Sequence, residues 1–403
     1  MNLEALIKAA IFTPTSRGWG LPVIAEGRMG IGKSSRIREV AALYGMRCVT
    51  VSPALSGEAA FGAVPVPSAD GYLDAPAPYW LRGLSAGSLV LIDEVASAPE
   101  HLLPPLLSVL VEGVVGGGHA LDPGTRVVGA TNSERMSVNG GRLAPNITCR
   151  FGWLSADLHS NGERAAFAQK LSSYLTTTAS GMKPIAKPYQ EEEARVLAAW
   201  PTAFAKAAGV FAAFIRSRPA LVEAYQEGAR VWPNPRSWEY AVRALASAGI
   251  HTLDALDELA FVGAFVGEGA GGELVKYAES AGIQDPHAIL FGNEAFDWGN
   301  RPDACYGTAA ACVSLLASLG DENCGVSGVE RGKAADSYLA TLSKAPAKYV
   351  DLAVQSCTAL SGVNYPISAP LQALVHTLGK GLTRAVASAT TSLPAVKKGG
   401  VKN

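Results

Sequence analysis

Short apolar runs alternate with helical patterns through the first 155 or so residues, and helical patterns fill the rest. Leu3, Leu6, Ile7 and Ala10 recur at helical spacing and predict an opening amphipathic helix that Pro14 ends. Leu21-Pro22-Val23-Ile24-Ala25 predicts a first strand, and Ile37, Val40 and Ala41 a helix behind it. Arg47-Cys48-Val49-Thr50-Val51 and Ser88-Leu89-Val90-Leu91-Ile92 predict a second and a third strand. Thr125-Arg126-Val127-Val128-Gly129-Ala130-Thr131-Asn132 and Gly152-Trp153-Leu154 predict a fourth and a fifth. An unbroken apolar run such as that of the third strand suits an open parallel sheet covered on both faces.

Two stretches break the alternation. Residues 54–80 lack clear periodicity and are punctuated by Pro and Gly, including Gly62-Ala63-Val64-Pro65-Val66-Pro67, ending at Pro78-Tyr79-Trp80. A loop of that length inside a domain is often functional. Residues 98–111 predict an apolar-faced helix entered through prolines, and residues 111–124 a hairpin with Gly116-Gly117-Gly118 at its tip.

Beyond residue 175 the pattern is helical. Thr176-Thr177-Thr178-Ala179-Ser180-Gly181 and the prolines to Pro188 predict a linker. A helical pattern over 191–215 is interrupted at Pro201. Asn234 caps a further helix, Pro235 fits its first turn, and Arg236 emerges at its start. Helices over 254–265 and 273–281 follow, and further amphipathic helices are predicted over 303–319 and 334–360. The expected domains are 1–175, an α/β core; 176–282, a helical lid; and 283–403, a helical region with a basic tail.

Composition narrows the function classes. A net charge of -1 and a charged fraction of 17% give no global attraction to nucleic acid or anionic lipid. No apolar run reads as long enough to span a bilayer, and the N-terminus lacks a basic segment followed by an apolar one, so a cytoplasmic location is expected, with no membrane partner. Six cysteines without paired spacing are expected to be reduced thiols, not zinc ligands.

The chemistry is concentrated at strand ends. Gly27-Arg28-Met29-Gly30-Ile31-Gly32-Lys33-Ser34-Ser35 reads Gly-x4-Gly-Lys-Ser, between a strand and a helix. Its glycines permit a tight loop whose N–H groups converge on phosphates, and the following helix points its positive end at the same charge. Lys33 can neutralise the β- and γ-phosphates of ATP, and the Ser34 hydroxyl can ligate Mg²⁺. About sixty residues on, Asp93 and Glu94 end the third strand, where ligands of parallel sheets bind. Asp93 can hold the Mg²⁺ through a water and Glu94 can polarise an attacking water.

P-loop, strand-end Asp-Glu, strand-end Asn132 and Arg150-Phe151, in that order, resemble an AAA+ ATPase. The Gly62-Ala63-Val64-Pro65 segment, Trp80, Asp93-Glu94-Val95 and the hairpin before Asn132 resemble the MoxR-like branch of the helix-2-insert clade. The resemblance spans roughly residues 20–155. It implies a five-stranded parallel P-loop core followed by a helical lid, commonly built into a hexameric ring. It makes Asn132 the sensor that orients the water, Arg150 the arginine finger for a neighbouring subunit, and Arg236 the lid sensor of the γ-phosphate. Cys149 stands where an acidic residue or Asn is usual, and Met29 replaces the common proline; Arg142 competes with Arg150 as the finger. The insert at 54–78 and the hairpin at 111–124 are implied to handle a partner. The expected function is a Mg²⁺-dependent ATPase that remodels a protein client. The resemblance also implies a von Willebrand A domain protein as a common partner, and since no Asp-x-Ser-x-Ser run occurs in this chain, any such partner is expected to be a separate chain. The alternatives are a nucleic-acid motor, against which the near-neutral charge stands, and a nucleotide-gated assembly scaffold, against which Glu94 and Asn132 stand.

Overall fold

Five parallel strands form the central sheet: β1 (Val23–Gly27), β2 (Arg47–Val51), β3 (Ser88–Ile92), β4 (Arg126–Asn132) and β5 (Gly152–Ser155), in the order β5-β1-β4-β3-β2. The computed structural model describes residues 2–61, 65–116, 118–133, 143–158, 161–179, 187–292, 294–299, 301–319 and 326–361. Every residue of β3 is buried, as are six of the seven residues of β4, so the middle of the sheet is covered on both faces. This is the five-stranded parallel α/β core, followed along the chain by helices, that the pattern of apolar runs anticipated. The first strand starts two residues later than the apolar run, because Leu21 N–H is used by Ala10 O instead.

The strand order decides where the chemistry meets. The chain leaves β1 and crosses to β2 at the far edge, then returns through β3 to place β4 beside β1. The segments after β1 and β3 therefore flank the end of β4, at the position where the strand order reverses. Helices α1 (Leu3–Ile11) and α2 (Lys33–Leu43) pack together, and Arg36 of α2 binds Glu4 of α1 through two hydrogen bonds of 2.9 Å each.

At the opposite end of β4, Arg126 is fully buried. Its guanidinium donates to Ile11 O at 3.3 Å and Ala86 O at 2.6 Å, pairs with Glu193, and lies near the rings of Phe12, Trp19 and Tyr189. A buried charge is tolerated only when paired and hydrogen-bonded to this degree. Nothing in the local pattern of β4 marked that residue.

The two irregular elements are joined. The insert contains a helical turn at Pro53–Ser56, a 3₁₀ turn at Glu58–Phe61 and a short pairing of Val66–Pro67 with Leu73–Asp74. The hairpin pairs Val114–Val115 with His119–Ala120. Gly116 N–H donates to Phe61 O at 2.9 Å, and His119 Nε2 lies 2.7 Å from Ala75 O, so hairpin and insert hold each other. The predicted helix over 98–111 is a succession instead: a 3₁₀ turn, Leu103–Leu107 and a widened turn at Ser108–Glu112.

Helix α3 (Asn161–Ala179) absorbs Thr176, Thr177 and Thr178, which the composition had assigned to a linker; Thr176 Oγ1 donates back to Ser172 O at 2.9 Å. Helix α4 (Tyr189–Ser217) runs unbroken through Pro201, where an interruption was expected. Trp200 stacks on Phe204 across the proline, with ring centroids 5.4 Å apart. Read as one element, α4 is long and apolar enough to cross a bilayer by length and composition, contrary to the expectation that no run is. It buries Val196, Ala205 and Phe214 in the protein.

Helices α5 (Pro235–His251), α6 (Ala255–Val266) and α7 (Glu268–Ser280) follow, and α6 packs on β5. The contact of α6 with α7 requires glycine, since a Cβ on Gly271 would lie 2.6 Å from Gly263 Cα. The capping box of α5 joins Asn234 and Ser237, as the sequence cap implied.

The chain divides into two compact units, Met1–Ala207 with Phe214–Ser280, and Ala208–Ala213 with Ala281–Asn403; the regions expected as core and lid fall mostly in the first. The described part of the second unit holds α8 (Pro286–Phe291), α9 (Pro302–Ser318), α10 (Gly328–Leu342) and α11 (Val350–Ser361). Leu315, Leu316, Tyr338 and Leu352 are buried in it, and Tyr338 donates its hydroxyl to Ala309 O at 3.2 Å. The basic tail lies outside the described residues.

Candidate nucleotide site

Gly27 closes β1, and the loop after it turns through Gly30 at φ 78° and Gly32 at φ 83°. Both angles are left-handed, a conformation that costs an L-residue about 1–2 kcal/mol and glycine nothing. Helix α2 then starts at Lys33, one residue earlier than Ser34, and its first-turn N–H groups face the loop. Ser34 is half-buried in that turn and Ser35 exposed, while Met29 stands in solvent at the loop tip.

Lys33 is the hub. Its side chain is buried, and Nζ donates to Gly27 O at 3.0 Å, Arg28 O at 2.9 Å and Asn132 Oδ1 at 2.9 Å. Burial pushes its ammonium below the usual lysine range, and the carboxylates of Asp93, Asp157, Glu26 and Glu94 pull the other way. These four acids converge on this end of the sheet. Asp157, which the sequence did not single out, accepts Arg28 N–H at 2.9 Å and so holds the loop from the β5 side.

Asp93 is tied to the sheet by its N–H, which donates to Val51 O at 2.9 Å, and its Oδ1 accepts the N–H of Glu94 at 3.1 Å. Glu94 is exposed and has φ 59° and ψ 45°, one of two non-glycine residues with positive φ among those described. Strain of this kind costs about 1–3 kcal/mol and gathers at functional positions. The following turn, Val95–Ser97, is anchored where Thr131 Oγ1 accepts Ala96 N–H at 3.2 Å.

Asn132 pairs with Gly27 in the β4–β1 register, which is why its side chain reaches Lys33. The structure thus brings together the loop Gly27 to Ser35, Asp93, Glu94 and Asn132. Arg150 stands just before β5, half-buried, with Nε donating to Asn146 O at 3.2 Å. Arg142 lies outside the described residues. Arg236 is exposed on the first turn of α5, with Tyr240 within its electrostatic reach.

A different lid-side arginine reaches the strand ends. Arg230, in the segment before α5, pairs with Glu26, the residue preceding Gly27. Its guanidinium lies 4.9 Å from the Trp153 ring centre. Sequence reasoning missed it because no motif contains it, although an Arg four residues before the Asn234 cap was a usable signal.

Residues and groups fit a Mg-nucleotide. The loop offers N–H donors at a helix start, Lys33 offers charge, and Ser34 with Asp93 offers the hard oxygen ligands that Mg²⁺ takes beside phosphate oxygens and waters.

No protein-family model matches the chain, and no curated protein matches it. Among solved structures it is similar to one described as a "putative ATPase" from Cytophaga hutchinsonii, at 14% identity and a TM-score of 0.41, over 68% of this chain and 86% of that one. The chemistry assigned to the site therefore rests on its own geometry and on the P-loop fold that frames it.

Proposed function

We propose that the protein is a Mg²⁺-dependent ATPase of the MoxR-like AAA+ type that works as an oligomeric ring and remodels a protein client. The observation that carries the ATPase reading is the meeting of Lys33 Nζ with Asn132 Oδ1 at 2.9 Å, at the start of α2 and in the field of Asp93 and Glu94. A buried lysine satisfied by two loop carbonyls and an amide is poised to exchange carbonyl partners for phosphate oxygens. Loop N–H groups and the start of α2 add fixed positive potential.

Ser34 and Asp93 would hold the Mg²⁺, which when bound neutralises phosphate charge that builds up on transfer. Glu94, at the tip of the strained turn, accepts a proton from the attacking water. Asn132 orients that water by its amide while keeping Lys33 aligned. Arg150 supplies a positive charge to the site of a neighbouring subunit, and Arg236 supplies one from the lid.

The client reading is supported by the insert. Tyr72 and Leu73 are at least 71% exposed on it, Tyr79 just after it is exposed too, and the hairpin braces it. Exposed aromatic and aliphatic side chains on a braced projection suit contact with protein.

Steady-state phosphate release with Mg²⁺ and with excess chelator, beside native mass spectrometry with and without ATP, tests the reading. Expected are chelator-sensitive turnover and a nucleotide-dependent oligomer. Absence of nucleotide binding by calorimetry would remove the proposal.

A further inference from the structure

We infer that Arg230 is a positioning residue: through Glu26 it sets the ends of β1 and β4, which carry Gly27 and Asn132. The consequence for turnover rests on the ATPase reading above; the mechanical link does not.

Arg230 is pinned at both ends. Its backbone O accepts the Thr148 hydroxyl at 2.7 Å, and its guanidinium sits over Trp153 while Nη1 donates to Glu26. Thr148 ends the helical turn before β5 and Trp153 lies in β5, so Arg230 is fixed to the β5 edge of the core. A cation over indole that also pairs with a half-buried carboxylate is a specific arrangement that lysine reproduces only in charge.

Glu26 transmits the position. It is opposite Thr131 in the β1–β4 register, one step before the Gly27–Asn132 pair. Thr131 in turn accepts Ala96 N–H and so anchors the turn behind Glu94. Glu26, Ala96, Thr131, Asn132, Trp153 and Arg230 line one small cleft. A shift of Glu26 is therefore felt at Asn132 and at the Glu94 turn together.

Amide hydrogen exchange and kinetics on the full chain test the link. Arg230→Ala is expected to raise exchange over residues 23–28 and 128–133 by about tenfold. It should lower kcat by about 10–100-fold with KM for ATP changed no more than about threefold, as a misplaced catalytic strand end would. Glu26→Gln should do the same, the double variant should be no worse than either alone, and Arg230→Lys should recover exchange protection and turnover in part. Unchanged exchange at both strand ends in Arg230→Ala, or additive effects of the two substitutions, would overturn the inference. If Arg230→Ala does not fold, Glu26→Gln probes the same link from the other partner. If the unaltered chain shows no ATP turnover, the ATPase reading falls, while the exchange measurements still decide the role of Arg230.

Discussion

Lys33 Nζ donates to Asn132 Oδ1 at 2.9 Å, across 99 positions of sequence. The bond spans two adjacent strands because β4 lies beside β1, and it ties the end of one strand to the helix that follows the other.

Lys33→Ala is expected to weaken ATP by about two orders of magnitude, the loss of several charge-assisted hydrogen bonds. Stability should not fall, since burial already disfavours the ammonium and its partners are loop carbonyls and one amide. Calorimetric titration with ATP, beside a urea melt, checks both halves. Unaltered affinity would refute the phosphate role.

Two substitutions at Glu94 separate chemistry from strain. Glu94→Gln should retain ATP binding and lose about 10²–10⁴-fold in turnover, the usual contribution of a general base. Glu94→Gly should lose turnover equally but gain about 0.5–1 kcal/mol of stability, because glycine removes the left-handed penalty at φ 59° while adding chain entropy to the unfolded state. A urea midpoint that rises at constant m-value is the signature. No rise would mean that neighbouring packing has absorbed the strain.

The proposed ring makes a complementation prediction. Arg150→Ala should bind ATP normally and lose about 10³–10⁵ in rate if Arg150 completes a neighbour's site. Mixed with Lys33→Ala subunits, which keep their own arginine, it should regain activity that neither variant has alone. Co-assembly verified by native mass spectrometry with no recovered turnover would transfer the role to Arg142 or remove the ring, and Arg142→Ala run alongside distinguishes the two.

Acid should loosen the junction of α1, α4 and α5. Burial and then the Lys8 charge depress the His251 imidazole to about 4, against the pull of Glu192. Burial would raise Glu192, but hydrogen bonds from Arg195 and Lys8 win and hold it at about 2. Both folded values lie below the unfolded ones, so the stability each contributes is present above the unfolded pKa and is lost as pH falls through the folded one. The His251 share should go between about pH 6.5 and 4, at up to about 1.4 kcal/mol per unit, and the Glu192 share between about pH 4.5 and 2. Urea melts of His251→Gln should show a flatter profile from pH 7 to 4.5; an unchanged slope would assign the loss elsewhere.

The sequence by itself determined the strands, the loop and the strand-end acids, because those signals are local. An apolar run between helical patterns, a Gly-x4-Gly-Lys-Ser spacing and an Asp-Glu after β3 need no partner to be read. Helix caps such as Asn234 are local for the same reason. What failed were signals that packing overrides. Pro201 breaks a pattern on paper, yet α4 continues through it with Trp200 stacked on Phe204; the threonines at 176–178 look like a linker and are helical.

Only the tertiary structure decided which distant groups share the site. The pairing of Lys33 with Asn132, of Arg28 N–H with Asp157 and of Arg230 with Glu26 joins residues 99, 129 and 204 positions apart. Those contacts follow from strand order and lid docking, which minimise exposed apolar surface over the whole unit and leave no trace in any window of a few residues. The strain at Glu94 is of the same kind. Nothing about a glutamate announces φ 59°; the pull of Asp93 on one side and of the Thr131–Ala96 bond on the other imposes it.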